Sequence, residues 1–221
     1  KRLSYAASFG KTNFDAATTR VYQQMLASYD KITVREDSAV QMLESWGAKN
    51  CYGQVLDPTL LLSADEWIDL LVYEEMQIKY ASQKYILVYQ IHNDRQLSSY
   101  ALRLAAHTGL KLLRVNPFMH QVHRGGKFVL CPDVTEFLSL IKNATYIVTD
   151  SFHGTCFSLT FEKQFIEVLP NNTTGTRNQS ILALTGLSNR IVYDFDDFSI
   201  INRMINYQPV REILAKERGR S

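Results

Sequence analysis

Short apolar runs alternate with segments of helical pattern along most of this chain, and that alternation limits the fold more than any other feature. From residue 85 onward the strands are predicted at 85–91, 111–115, 146–149, 164–169 and 191–194, and the helices at about 95–107, 134–143, 153–162 and 177–186. A hairpin needs no helix between its strands, so single intervening helices favour parallel strands joined by right-handed crossovers. The runs are continuously apolar, which is typical of strands covered on both faces. We therefore predict a doubly wound, Rossmann-like sheet in an α/β protein.

The first part of the chain has a shorter version of the same pattern. It is predicted to contain strands at 3–8 and 32–34 and helices at 15–28 and 39–46. Asp37 or Ser38 can cap the second helix, and Gly47 ends it. Pro58 breaks the pattern because it cannot donate to a sheet, and helices are predicted at 64–72 and 74–82. We predict a partial amino-terminal α/β domain over 1–62, a helical connector over 63–84 and a Rossmann-like domain over 85–221.

Composition limits the classes of partner. The net charge of +2 gives no reason to expect nucleic acid as a partner. The three cysteines form no CxxC pair, which favours a reducing, cytoplasmic location and shows no metal-ligand spacing. No apolar run approaches the roughly 18 residues that cross a bilayer. The chain begins at Lys1 without a methionine, so we expect it to be a fragment.

The segment "TDSFHG", Thr149 to Gly154, lies where a predicted strand ends and a predicted helix begins. Ligands of doubly wound sheets bind beyond the carboxyl ends of the strands. Asp150 or Ser151 can cap the helix, whose amino terminus attracts anions, and Gly154 permits close backbone approach. A histidine in this position has a structural hydrogen bond as its default interpretation, so His153 by itself names no reaction.

Other polar residues are weaker candidates. Arg35 follows a predicted strand, where its guanidinium could bind phosphate or carboxylate, or could pair with Glu36 or Asp37 on the surface. Arg177 follows the loop "PNNTTGT" and could either bind a ligand or simply begin a helix. Tyr89 could stack on a sugar. The remaining histidines show no paired ligand spacing and are predicted to have loop or surface roles; they are His92, His107, His120 and His123.

Four segments in this order resemble the polysaccharide pyruvyl transferase family. They are "ITVREDSAVQMLESWG", "VLDPTLLLSADEW", "FLSLIKNATYIVTDSFHGTCFSLTFEKQFIEV" and "GTRNQSILALTGLSNRIV". The resemblance implies a GT-B-like, two-domain fold and transfer of pyruvate from phosphoenolpyruvate to a sugar of a cell-surface polysaccharide as a ketal. It implies that His153 is catalytic and that Arg35, Ser151, Gly154 and Arg177 bind substrate. Arg35 and His153 are then expected on opposite walls of one cleft.

The resemblance also implies partners and leaves alternatives open. The partners are phosphoenolpyruvate and a saccharide or lipid-linked oligosaccharide acceptor, with peripheral membrane association through that acceptor and with no cofactor or metal. A nucleotide-sugar glycosyltransferase of GT-B type and a catalytically silent glycan-binding protein are the alternatives. Two features depart from the family. Its Asn-Tyr-Gly-Ala-type glycine loop is absent, and position 151 is Ser where characterised members can carry Arg.

Overall fold

A computed structural model describes residues 1–71, 80–170 and 175–221, apart from the side chains of Leu71 and His120. The described chain forms two compact units, which are 1–61 with 171–188 and 209–221, and 62–170 with 189–208. These units divide the chain differently from the predicted ranges, because two segments of the predicted carboxyl-terminal domain pack within the first unit. Most of the predicted helix at 74–82 and of the loop from Pro170 to Thr176 lies outside the described residues.

The first unit contains a parallel three-stranded sheet in the order β1-β2-β3. Its strands are β1 Leu3–Ala7, β2 Lys31–Val34 and β3 Cys51–Gln54, and its first two helices are α1 Ala16–Leu26 and α2 Asp37–Ser45. Ile32, Val34 and Leu43 form the core between this sheet and α2. The predicted alternation of strand and helix is confirmed here.

The first two helices begin differently, because a side chain caps α1 but not α2. Asp15 accepts a hydrogen bond from the Thr18 amide at 2.9 Å and so caps α1. The predicted cap of α2 by Asp37 or Ser38 is wrong, since Glu36 occupies the cap position and makes no side-chain capping bond there. The buried Glu36 carboxylate instead accepts from the Ser8 hydroxyl at 2.8 Å and the Phe9 amide at 3.1 Å. Glu36 thus fixes the loop that follows β1.

The second unit contains a five-stranded, wholly parallel sheet in the order β6-β5-β4-β7-β8. Its strands are β4 Tyr85–Tyr89, β5 Lys111–Asn116, β6 Lys127–Leu130, β7 Tyr146–Thr149 and β8 Gln164–Glu167. The remaining helices of the described residues are α3 Ala64–Leu71, α4 Arg95–Thr108, α5 Val134–Asn143, α6 Phe152–Thr160, α7 Thr176–Leu184 and α8 Tyr207–Arg220. The predicted parallel, doubly wound sheet is confirmed.

Two strand predictions need correction. β6 lies in a segment for which we predicted no strand, and it pairs with β5 along Leu113 to Asn116. The predicted strand at 191–194 is reduced to a single bridge between Glu167 and Ile191. In both cases pairing with the neighbouring strand, rather than the local pattern, decides the outcome.

The strand order places a topological switch point beside β4. The chain moves from β4 to β5 and β6 on one side, and then returns to β7 on the other side of β4. The loops after β4 and β7 therefore leave the carboxyl edge next to each other, which is where open α/β sheets bind ligands. Within the described ranges, no helix is both long enough and apolar enough to span a bilayer.

Candidate functional site

Thr149, the last residue of β7, ties that strand to the loop that follows it. Its hydroxyl donates to the Tyr89 carbonyl of β4 at 2.7 Å and accepts from the Ser151 amide at 3.0 Å. The side chain is fully buried, so both bonds form away from water. The turn between β7 and α6 is consequently held in one conformation at the switch point.

Asp150 binds the loop after β4 rather than capping α6. Its carboxylate accepts from the Ile91 amide at 2.7 Å, the His92 amide at 3.0 Å and His92 Nδ1 at 3.2 Å. Burial raises the pKa of the Asp150 carboxyl above its ordinary value, and the hydrogen bonds from Ile91 and His92 oppose that shift. Asp150 therefore joins the two loops of the switch point.

Ser151 is the residue that caps α6. Its hydroxyl accepts from the Gly154 amide at 3.3 Å, and the side chain is buried. The serine thus satisfies one of the amides at the helix amino terminus. Its predicted role in substrate binding stays a prediction.

Gly154 is required by packing inside the second unit. A Cβ at this position would lie 2.3 Å from Thr149 Oγ1 and 3.0 Å from Tyr89 Cδ1. The absence of a side chain lets α6 approach β4 and β7 closely. The close approach that we predicted is therefore an approach to the protein's own strands, and a role in substrate binding stays a prediction.

His153 differs from every other residue of its helix. Eight of the nine residues of α6 are buried, and His153 is the exposed one. Its ring packs edge-on against Phe152, with 5.6 Å between the ring centroids. The structure therefore presents an exposed imidazole at the carboxyl edge of the sheet, on a helix that is otherwise part of the core.

His92 lies at the same edge of the sheet, although the sequence predicted only a loop or surface role for it. It follows β4 in the loop that Asp150 holds, and its side chain is 32% exposed. Gln90 Nε2 donates to the His92 carbonyl at 2.9 Å and so fixes the loop from its other side. Its position just beyond an apolar strand is the signal in the sequence, whereas paired ligand spacing, which His92 lacks, points elsewhere. His92 lies in the loop after β4, and His153 lies in the first turn of α6, which follows the adjacent loop after β7.

Tyr89 connects this edge of the sheet to an apolar cavity. Burial raises the pKa of the Tyr89 hydroxyl, a hydrogen bond with Ser151 lowers it, and the charge of Asp150 raises it. The ring packs edge-on against Phe137 at 4.9 Å. Both rings line a cavity of about 250 Å³ together with Val115 and Pro117. The cavity offers an apolar surface next to the loop that carries His92.

Arg35 lies at the carboxyl end of β2 and pairs with a buried carboxylate. Its Nη1 lies 2.6 Å from Asp57 Oδ2, with the two side chains 18% and 1% exposed. Asp57 also accepts from the Thr59 amide at 3.0 Å. The predicted ion pair of Arg35 with Glu36 or Asp37 is wrong, because the fold brings Asp57 close instead. Binding of substrate by Arg35 stays a prediction.

Arg177 occupies the first turn of α7, which belongs to the first unit. One turn further along that helix, the Ser180 hydroxyl accepts from Gln54 Nε2 at 2.9 Å. The same Gln54 nitrogen lies 3.2 Å from the Arg35 carbonyl. Arg35 and Arg177 therefore lie on neighbouring elements of the first unit, whereas His153 lies in the second. That Arg35 and His153 face one cleft stays a prediction.

Metal ligation has no candidate among the residues that the structure describes. No group of three or more His, Cys, Asp or Glu side chains there has the geometry to hold a metal ion.

Similar structures identify the fold. A putative UDP-N-acetylglucosamine 2-epimerase from Listeria monocytogenes has a TM-score of 0.60 at 10% identity, with 100% of this chain and 67% of that protein covered. A UDP co-structure of MnaA from S. aureus has a TM-score of 0.57 at 17% identity, with 98% of this chain and 60% of that protein covered. Arabidopsis thaliana UGT89C1 complexed with UDP-L-rhamnose has a TM-score of 0.52 at 9% identity, with 98% of this chain and 61% of that protein covered. The predicted GT-B-like α/β fold is confirmed, and the chain spans about three fifths to two thirds of each of these proteins.

Sequence comparison identifies the family. No curated protein sequence matches the chain. A family model described as polysaccharide pyruvyl transferase matches residues 1–173, which is most of the chain. The chain therefore belongs to the polysaccharide pyruvyl transferase family.

Proposed function

We propose that the chain is the catalytic part of an enzyme that transfers pyruvate from phosphoenolpyruvate to a sugar of a cell-surface polysaccharide as a ketal. The observation that carries the proposal is the exposure of His153 on a helix whose eight other residues are buried. A histidine with only a structural role needs no access to solvent, whereas a proton donor must reach its substrate. The family supports a transferase, and the switch point supports a ligand beside α6.

Ketal formation sets the chemical requirements of the site. Two hydroxyl oxygens of the sugar form bonds to the central carbon of phosphoenolpyruvate, and the bond from that carbon to the phosphate oxygen breaks. The methylene carbon gains one proton and becomes a methyl group. The two sugar hydroxyls release two protons: one balances the proton that the methylene carbon gains, and the other leaves with inorganic phosphate. The site must therefore supply an acid that protonates the methylene carbon, and it must bind a donor with two anionic groups.

The chain offers residues for these roles. His153 acts as the acid that protonates the methylene carbon. Arg35 and Arg177, on neighbouring elements of the first unit, bind the phosphate and the carboxylate of the donor, because guanidinium groups form paired hydrogen bonds with both. The positive end of α6 attracts the same anions. The acceptor is a saccharide or a lipid-linked oligosaccharide, and the cytoplasmic location stays a prediction.

A donor screen tests the proposal. The complete natural protein is mixed with phosphoenolpyruvate and a panel of methyl hexopyranosides, namely the galactoside, the glucoside and the N-acetylmannosaminide. Release of inorganic phosphate is measured, and mass spectrometry tests the sugar for a pyruvate ketal. We expect one phosphate for each ketal formed. Phosphate release without a modified sugar contradicts the proposal.

The runner-up is a nucleotide-sugar glycosyltransferase. Solved structures of similar fold are described as complexes with UDP or UDP-L-rhamnose, at identities of 17% and 9%. Release of UDP from a UDP-sugar in the same screen, with no reaction of phosphoenolpyruvate, would favour this alternative. Binding of a glycan without turnover of either donor would favour a catalytically silent protein.

A further inference from the structure

We propose that His92 is a second catalytic residue, which accepts the proton of the attacking sugar hydroxyl, and that Asp150 is its positioning residue. The proposal rests on the proposed pyruvyl transfer. It starts from a pair that the resemblance did not include, a partly exposed histidine and a buried carboxylate at the switch point.

The fold places this pair beside His153. β4 and β7 are neighbours with Tyr89 opposite Thr149, so the loops after these residues leave the sheet side by side. His92 lies in the first loop, and His153 is the second residue of α6, which follows the second loop. Asp150 lies between them in the second loop and binds the first through two backbone amides. The two histidines therefore share one edge of the sheet.

The hydrogen bonds to Asp150 decide which ring nitrogen of His92 can act as a base. When Asp150 is ionised its carboxylate only accepts hydrogen bonds, so we assign a hydrogen to His92 Nδ1 from its contact of 3.2 Å with Asp150 Oδ2. In the neutral ring Nε2 then carries the lone pair. The loop is also fixed by Gln90, whose Nε2 donates to the carbonyls of His92 at 2.9 Å and of Asp94 at 2.6 Å. His92 is thus held in the tautomer and the position that a base requires.

The chemistry of ketal transfer uses two proton carriers. As the first hydroxyl oxygen bonds to the central carbon of phosphoenolpyruvate, its proton passes to His92 Nε2. The electron pair of the double bond takes a proton from His153 at the methylene carbon. Phosphate then leaves with the electron pair of its bond and takes the proton from His92. The second hydroxyl oxygen bonds to the same carbon and returns a proton to His153, so both histidines regain their starting states.

His92→Ala and His92→Gln test this role, with His107→Gln as a matched control. His107 lies in the last turn of α4, which leads to the opposite edge of the sheet, and its ring stacks on Phe198. Phosphate release is measured with phosphoenolpyruvate and the methyl hexopyranoside that gives the highest rate. We expect both His92 variants to lose at least about a hundredfold in kcat, with KM for phosphoenolpyruvate unchanged. Added imidazole should restore part of the rate to His92→Ala.

The outcomes separate this proposal from the proposed function. A wild-type protein that is inactive with phosphoenolpyruvate and every acceptor would overturn the proposed function, and this role with it. An active wild type whose His92 variants keep their kcat would overturn only the role of His92. A raised KM for phosphoenolpyruvate at unchanged kcat would do the same, since it would indicate a donor-binding residue. If added imidazole does not restore any rate of phosphate release to a folded His92→Ala variant, that result would also contradict the role of His92 as a base. Asp150→Asn should lower kcat at unchanged KM, and an unchanged kcat would overturn its positioning role.

Discussion

Replacing Gly154 with Ala tests the account of how α6 is held against the sheet. The new Cβ would lie 2.3 Å from Thr149 Oγ1, 3.0 Å from Tyr89 Cδ1 and 3.1 Å from Thr149 Cβ. Thr149 has little freedom to turn away, because its hydroxyl bonds both the Tyr89 carbonyl and the Ser151 amide. Either these two bonds break, or the amino terminus of α6 moves away from β7.

The expected cost follows from three contributions. Overpacking of a tight interior site costs about 1–3 kcal/mol, and a lost buried hydrogen bond costs about 1 kcal/mol more. Alanine recovers about 1 kcal/mol because it favours helix over glycine. Gly154→Ala should therefore lower the free energy of unfolding of the second unit by about 2 kcal/mol, which lowers Tm by about 5–10 °C.

Urea unfolding followed by tryptophan fluorescence measures this effect. The sequence has two tryptophans, and Trp67 packs against Phe157 of α6 with 5.4 Å between ring centroids. A Trp46→Phe background leaves Trp67 as the reporter. Gly219→Ala is the matched control, since Gly219 lies in α8 and a Cβ there meets nothing within 4 Å. That control should be neutral or slightly stabilising.

A double-mutant cycle shows whether Thr149 is the cause. Thr149→Ala alone should destabilise, because it removes two buried hydrogen bonds. In that background the closest clashing atom is gone, so Gly154→Ala should cost less than half of its cost in the wild type. Equal costs in both backgrounds, or a stabilising effect of Gly154→Ala in the wild type, would refute the packing argument.

Two further predictions concern buried polar groups. Tyr100→Phe should raise the free energy of unfolding by about 1 kcal/mol, because the buried Tyr100 hydroxyl has no hydrogen-bond partner among the described residues. Burial raises the pKa of Tyr100 from 10.0 to about 12, so stability is lost as the pH rises above 10, where the unfolded tyrosine ionises first. In urea titrations, Tyr100→Phe should reduce the slope of the free energy of unfolding against pH by up to about 1.4 kcal/mol per pH unit. An unchanged slope would contradict the raised pKa of Tyr100. Arg35→Gln should destabilise the first unit by up to about 3 kcal/mol, as it leaves the Asp57 carboxylate buried without its cation. In unfolding experiments, Arg35→Gln combined with Asp57→Asn should regain most of that stability. The double variant should still have a raised KM for phosphoenolpyruvate. A KM equal to that of the wild type would show that Arg35 does not bind the donor.

Local pattern was sufficient for most of the second unit. The predicted ranges of α5 and β7 match the structure at both ends, because strong apolar runs are bounded there by polar turn residues. The complete burial of the apolar face of α6 could also be predicted, since nearly every side of that helix is apolar. His153 stood out at the same place, as a polar residue between a buried strand and a buried helix.

Tertiary contacts decided what the sequence pattern could not. β6 is only four residues long and follows Gly125 and Gly126, so it looks like a loop until it pairs with β5. His92 gains its significance from Asp150, which is 58 residues away along the chain. Gly154 was predicted to permit close backbone approach, and only the fold shows that the atoms it approaches belong to β4 and β7. None of these contacts leaves a periodic signal in the sequence.

The most direct test of pyruvyl transfer is the turnover of the complete natural protein and of its His153→Gln variant. Phosphate release from phosphoenolpyruvate is measured with the best methyl hexopyranoside, and mass spectrometry counts the pyruvate ketals formed. We expect one ketal per phosphate for the wild type and for His107→Gln, and a loss of at least about a hundredfold in kcat for His153→Gln. We expect little change in Tm for His153→Gln, because the side chain is exposed. Equal turnover by wild type and His153→Gln would contradict the role of His153 as the acid, and phosphate release with no ketal on the sugar would contradict pyruvyl transfer.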